Sequence, residues 1–323
     1  MGSNKIHNED LFTHTANTNY KKHIKIQSKQ ALEIIKAQVN WDSLILPIAD
    51  KITQSKTKKS PAGKKPFDLL LIIRCFILQS IYGLSDPRLE EEIADRRSFQ
   101  IFLELTSADA IPDETTICRY RELFSRLKLD NLLFKQFNKQ LQALGLIVGK
   151  GTLVDATIKQ AQAKPSSKRD HDANFTQKRN KRYYGYKGHI GVDSQTNVIH
   201  DLEFTAANIH DSVMFDKLLT NTEQAVIADK GYANKKRKSV LRSRGIFCGI
   251  MDKGYRNRSL STKQQQKNKK LSVVRNAVER PFAFMKHVLN YERCSYYDLE
   301  RNRFQFTMAA VVYNIRKMMV LAV

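Results

Sequence analysis

Apolar residues recur along this chain in two rhythms. Up to about Ile147 they fall at the three- and four-residue intervals of helices, and beyond Gly149 they fall in short β-rich runs between turns and further helices. The run A-L-E-I-I-K-A-Q-V-N-W-D-S-L-I-L-P-I predicts one helix and a turn around Pro47. S-K-T-K-K-S-P-A-G-K-K-P then reads as a flexible basic tether able to lie along phosphates, or as a plain solvated linker. From Pro66 to Ile147 the pattern is helical throughout. Phe67 to Tyr82 is strongly apolar and expected in the core. Asp86 and Pro87 are placed to supply the N-cap and first position of L-E-E-E-I-A-D. Asp113 caps D-E-T-T-I-C-R-Y-R-E-L-F-S-R-L, in which Ile117, Tyr120, Phe124 and Leu127 share the buried face. Thr115, Thr116, Arg119 and Arg126 are left outward. That pattern suits a helix-turn-helix reader of DNA as well as an ordinary solvated helix.

After Gly149 the predicted order is strand, hairpin strands, helix, strand, helix, strand, helix, the succession of a mixed sheet with helices on its faces. G-T-L-V-D-A-T-I is the first strand, followed by a polar, basic insertion from Lys159 to Lys187. Y-Y-G-Y-K-G-H-I-G-V-D and N-V-I-H-D-L-E-F-T pair through a tight turn at S-Q-T. Residues 210–220 read as helix, A-V-I-A-D as a buried strand ending in an acid, A-N-K-K-R-K-S-V-L-R-S-R-G as a basic helix, and I-F-C-G-I-M as one more strand. Q-Q-Q-K-N-K-K reads as a mobile loop, and an amphipathic helix runs through Met319 to close the chain.

Between those last two lies S-V-V-R-N-A-V-E-R-P-F-A-F-M-K, residues 272–286. Wound as one helix, it brings Arg275, Glu279 and Lys286 within about 40° of one another, an acid between two bases. Val274, Val278, Phe282, Met285 and Leu289 form the adjacent apolar side. Taken alone this is an amphipathic helix with a salt-bridged surface; in company it could hold a cation and an anionic substrate together.

Composition narrows the company. The 323 residues leave room for two domains, and a 41% hydrophobic content suffices for a real core. A net charge of +23, from 55 Lys and Arg against 32 acids, points to a polyanionic partner, nucleic acid before an anionic membrane. The lopsided stretch from Lys230 to Lys270, with Asp252 its one acid, is expected to contact phosphates, Lys230 among the contacts. The longest apolar stretch, Phe67 to Leu78, is interrupted by Asp68 and Arg74 and is too short to span a membrane. No apolar run follows the first charges, so no signal peptide is expected, and Ile6 stands where a myristoylation signal needs Ser or Thr. The four cysteines are scattered without paired spacing, which argues against a zinc site or disulfide framework and suits a cytoplasmic setting.

Two carboxylates are out of place. Asp155 interrupts the first strand and Asp229 ends A-V-I-A-D, where apolar strands carry acids only if something compensates the charge. Ligands in such sheets gather at strand ends. If the two strands are neighbours, both acids point at one spot that Glu279 could complete. Three carboxylates without a His or Cys cluster select a hard ion, Mg²⁺ or Mn²⁺, and suit phosphoryl transfer with two ions.

The stretch from Pro66 to Lys317 resembles the DDE transposases of bacterial insertion sequences. The resemblance rests on I-Y-G-L-S-D-P and I-P-D-E-T-T-I-C-R-Y-R in the helical half, and on V-D-A-T, Y-G-Y-K-G-H-I, N-I-H-D-S, A-D-K-G-Y and R-x-x-x-E-x-x-x-x-x-x-K in the second. It implies an α/β ribonuclease-H-like catalytic domain preceded by an all-α domain. The expected divisions are a polar segment and linker over 1–65, a helical DNA-binding domain over 66–148 and a catalytic domain over 149–323. By position, Asp155, Asp229 and Glu279 resemble the family's metal-binding catalytic acids, and Arg275 and Lys286 its DNA-gripping residues. Arg119 is the candidate DNA contact of the helical half. The implied activity is nicking at element ends followed by strand transfer into target DNA, in a homodimer that pairs the ends. A catalytically inert DNA-binding descendant and a nuclease that only hydrolyses are the alternatives. Ser272 stands where the related signature has Tyr, which removes any stacking role for that Tyr. Pro281 implies a kink or restart beside Glu279, and the H-D-S element at His210 and Asp211 carries no assigned role beyond a helix cap.

Overall fold

A computed structural model describes residues 27–55 and 65–321, apart from 168, 179, 221, 256 and 257. The polar N-terminal stretch and most of the basic tether lie outside the described residues. Among the described residues seven helices come first: α1 (Gln27–Gln38), α2 (Trp41–Ser55), α3 (Leu69–Tyr82), α4 (Asp86–Asp95), α5 (Arg97–Leu103), α6 (Glu114–Arg126) and α7 (Leu129–Ala143). The chain breaks after α1 at Val39 and Asn40, not at Pro47. The Asn40 side chain accepts from the Ser43 amide at 3.3 Å and opens α2, which carries Pro47 inside it. α3 is buried from Leu71 to Gln79, capped by Asp68 at one end and by Gly83 in the left-handed conformation at the other. The cap of α4 is Ser85, one residue earlier than expected. Asp86 sits inside the helix, where its carboxylate is engaged by Arg121 (Nη1 at 2.7 Å) and Gln79 (Nε2 at 2.6 Å), a charge too valuable to a buried guanidinium to serve as a cap. Asp113 does cap α6, accepting from the Thr116 amide at 2.6 Å.

The second half builds a six-stranded mixed sheet: β1 (Gly151–Gln160), β2 (Asn174–Lys178), β3 (Lys181–Asp193), β4 (Ile199–Ala206), β5 (Ala225–Ala228) and β6 (Phe247–Ile250). β4, β3 and β1 are antiparallel neighbours; β5 and β6 continue the sheet parallel to β1. This is the ribonuclease-H-like arrangement. Much of the expected insertion is structured, because β2 pairs with the first five residues of β3 as a hairpin. Its helices are α8 (Asp211–Met214, continued by a 3₁₀ turn), α9 (Lys235–Ser243), α10 (Thr262–Arg275), α11 (Glu279–His287) and α12 (Leu299–Leu321). Q-Q-Q-K-N-K-K therefore lies in α10, not in a loop. Ser261 and Gln264 form a capping box there, and the Asn268 side chain exchanges bonds of 2.8 and 2.9 Å with the Asp252 backbone.

α12 ties the halves together, packing on α3, α6 and α7 as well as on β4. Its Phe306 is fully buried, a burial that contributes roughly 2–3 kcal/mol. Gly188 of the Y-K-G-H element explains itself here, since a Cβ at that position would stand 2.4 Å from the Phe306 ring. Asn314 of α12 meets Ile199 of β4 on both sides of its backbone, accepting from its amide at 2.9 Å and donating to its carbonyl at 2.7 Å. One large core runs through the helices, α12 and one face of the sheet. A smaller one, with Val154, Phe215, Val226, Tyr232 and Ile250, lies on the other face.

Candidate active site

β1 and β5 are adjacent and parallel, with Val154 opposite Ala228 as the last registered pair. The next residue along the chain from each is an acid, so Asp155, within β1, and Asp229, just past the end of β5, lie side by side at one level of the sheet. Asp155 accepts from the Ala156 amide at 2.9 Å, and Asp229 from the Lys230 amide at 2.7 Å as the chain turns into a 3₁₀ turn.

Glu279 arrives from a helix that restarts. α10 ends at Arg275, Asn276–Val278 make a 3₁₀ turn, and Glu279 is the first residue of α11. Pro281 favours this. As the third residue of α11 it lacks only an N–H that has no intrahelical acceptor in a first turn, whereas in a continuous helix it would break the ladder and strike the Ala277 carbonyl. The restart has two further consequences. Val274 is exposed, not part of the apolar face that Val278, Met285 and Leu289 do form. Lys286 is carried off to Glu292, at 2.7 Å, so the three-residue face predicted by one continuous helix does not exist.

Arg275 keeps its place. Nη1 lies 3.0 Å from Asp155 Oδ2 and Nη2 lies 3.2 Å from Glu279 Oε1, so one guanidinium bridges two of the three acids. The Arg275 and Asp155 side chains are 17% and 20% exposed against 61% for Glu279, which leaves one limb of the bridge dry and the other in solvent. Burial raises the Asp155 carboxyl above its ordinary value. The Asp229 and Glu279 charges push the same way, against the opposing pull of the Ala156 amide and Arg275.

The sheet adds neighbours that sequence reasoning did not connect. Lys187 on β3 places Nζ 2.9 Å from Asp211 and from the Ile209 carbonyl. The buried Tyr232 hydroxyl has no hydrogen-bond partner among the described residues; burial holds it protonated, as do the Asp155, Asp211 and Asp229 charges. His210 caps α8 by accepting from the Ser212 amide at 3.2 Å, which settles that half of H-D-S. The signal was present in the spelling, because K-G-H, H-D-S and D-K-G-Y all place polar residues beside apolar strands. Only the sheet brings them to one end. Of the expected DNA contacts, Lys230 and Arg119 are exposed on separate elements, the turn after β5 and helix α6.

Hard carboxylate donors at one sheet end suit a divalent cation in chemistry. Among the described residues no three His, Cys, Asp or Glu side chains are gathered closely enough to hold one as they stand, and Arg275 occupies the space between Asp155 and Glu279. The donors fit; their present arrangement is that of an ion-paired site.

Residues 148–315, just over half of the chain, match the family described as Transposase DDE domain, and residues 20–123 match Transposase domain (DUF772). The chain belongs to the DDE transposase family. Its two matched regions follow the order of the two halves of the fold. Among solved structures, a piggyBac transposase synaptic complex with hairpin DNA is similar at 11% identity, with a TM-score of 0.44, over 90% of this chain and 74% of that one. Among the described residues no single helix of this family member is long and apolar enough to cross a membrane.

Proposed function

We propose that this transposase cuts and joins DNA at the ends of an insertion sequence, with Asp155, Asp229 and Glu279 as its catalytic acids. The single observation that carries this reading is the pair of acids directly after the last registered pair of parallel strands β1 and β5, with Arg275 linking Glu279 to Asp155. Asp155, Asp229 and Glu279 would hold Mg²⁺ or Mn²⁺, two ions in all. When bound, the ions supply activation of the attacking oxygen and neutralisation of the leaving one. The protein's own share is positioning. Asp155 is fixed by its strand and by the Ala156 amide, and Asp229 by the turn after β5, so two of the acids need no reorganisation.

The substrate is double-stranded DNA, the terminal inverted repeats first and the target second. Water attacks the phosphodiester at the element end, and the freed 3′-hydroxyl then attacks target DNA. The basic stretch around α9 and α10, with Lys230, Arg275 and Lys286, would track the phosphates. Arg119 on α6 would add a contact from the helical half, and a homodimer would pair the two ends.

The test is plasmid nicking with DNA taken from both sides of the reading frame. Asp229→Ala is expected to lower Mg²⁺-dependent nicking by roughly a hundredfold to a thousandfold while leaving duplex binding within a few-fold. Equal nicking by the variant overturns the acid assignment. Binding without nicking by the wild-type protein favours an inert DNA-binding descendant. Nicking without strand joining favours a simple nuclease.

A further inference from the structure

Arg275 is fastened to the acids that the proposed function needs free. Its side chain is mostly buried, spends one N–H on Asp155 and another on Glu279, and leaves Nε buried with no partner among the described residues. A guanidinium holding a single carboxylate in a closed pair would use a parallel two-point fork. This one instead spans two acids and stands where a divalent cation would have to sit.

Its two limbs are also unequal. The Asp155 limb is anchored in the sheet, with the carboxylate's other oxygen held by the Ala156 amide. The Glu279 limb is in solvent, on the first residue of a helix that has just restarted. The exposed limb is weak, so the contact at that end can be exchanged at little cost. The best exchange partner for a guanidinium is another bidentate oxyanion, a phosphodiester. Fourteen Lys or Arg between Lys230 and Lys270, just ahead of Arg275, would bring one there.

We propose that Arg275 is an exchangeable counter-ion of the acid site, bound to Asp155 and Glu279 in the free protein and released to a DNA phosphate, so that the acids accept a divalent cation only once DNA is seated. It is a positioning residue, acting through the acids and not on the reacting atoms. The inference rests on the proposed acid assignment, and it assigns the ordering of events: DNA first, cation second. Its consequence for the free protein is that the guanidinium neutralises acids which would otherwise repel one another and capture metal without substrate.

The experiment is Mn²⁺ binding to the full chain, read by electron paramagnetic resonance of free Mn²⁺, with and without a short duplex. Wild-type protein is expected to bind Mn²⁺ weakly alone and about tenfold or more tightly with duplex, the scale on which one adjacent charge acts at a carboxylate site. Arg275→Gln is expected to bind Mn²⁺ tightly without duplex and to gain little from adding it. Arg275→Lys, whose ammonium holds one acid at a time, should fall between and guards against a glutamine variant that does not fold. Equal Mn²⁺ affinity for wild type and both variants in the absence of duplex overturns the proposal. The double variant Asp229→Ala with Arg275→Gln separates the two readings. Loss of the gained binding supports both, whereas tight binding that survives overturns the acid assignment itself and this proposal with it.

Discussion

Among the arginines that are each shared between a pair of carboxylates, Arg303 and Arg275 could hardly be more different. Arg303, on α12, meets both oxygens of the fully buried Asp130 with Nε and Nη2, at 3.1 and 3.2 Å. It also donates to the Ser125 carbonyl at 2.9 Å and to Glu300, so all three of its nitrogens are engaged. Arg275 gives one contact to each of two acids, keeps Nε unpartnered, and has one acid largely in water. The first arrangement is closed and locks α12 to the junction of α6 and α7. The second is open, with donors and acceptors left over. A buried charge satisfied on every side is fixed in place; one with a spare donor and a solvent-exposed partner is left able to change partners.

The largest effect that bears on this contrast is expected in the closed pair. Asp130→Ala leaves the Arg303 guanidinium buried without its carboxylate and is expected to cost about 3–5 kcal/mol, measured by chemical denaturation. Glu279→Gln, on the exposed limb of the open pair, is expected to cost at most about 1 kcal/mol. Similar losses in the two variants would erase the distinction.

A second effect comes from His189, buried on β3 beside the Lys187–Asp211 pair. Burial lowers its pKa from 6.5 to about 4; Asp211 pulls it up and Lys187 pushes it further down. Its Nε2 meets Thr205 Oγ1 at 3.0 Å while Nδ1 has no partner. A folded-state value below the unfolded one means the unfolded chain binds the extra proton first. Stability is therefore full above pH 6.5, falls as the pH drops below that, and is fully lost for this group below about 4. Denaturation midpoints at pH 7 and pH 5 should differ more in the wild type than in His189→Asn; an equal difference removes His189 from the account.

The smallest effect is at Asp155, where the open arrangement predicts a gain. Its raised carboxyl pKa means that the ionised form is penalised in the fold, so the stability it supplies is present below the unfolded value of 3.8 and is lost as the pH rises through the folded one. At neutral pH, Asp155→Asn is expected to leave stability unchanged or to raise it, while removing the nicking that the proposed function assigns. A clear destabilisation would place Asp155 with Asp130, among the structural charges.

Elements marked by strong local signals were legible in the chain. The Asp113 cap, the β3–β4 hairpin through S-Q-T, and the strand A-V-I-A ending at Asp229 follow from turn and cap chemistry that acts over a few residues. Pro47 and Q-Q-Q-K-N-K-K misled for one reason: local propensity is a weak term that packing overrides. A capping box and Asn268 on the Asp252 backbone hold α10 as helix through a run of polar residues. The cap of α4 was misjudged by one residue because Asp86 has a distant partner, Arg121, thirty-five positions along the chain.

At the candidate site the division is the same. The sequence alone determined which acids are anomalous, because a carboxylate within or just after an apolar strand stands out against its neighbours whatever the fold. It also marked a kink or restart beside Glu279, because an interior proline loses a ladder bond and strikes the carbonyl four residues back, although α2 carries Pro47 without a break. Only the tertiary structure decided that β1 and β5 are parallel neighbours, that Lys286 belongs to Glu292, and that Arg275 reaches Asp155 across 120 positions. Strand order and the partner of a long, flexible cation are set by long-range packing. No spacing along a single chain encodes which of several nearby carboxylates a guanidinium will meet.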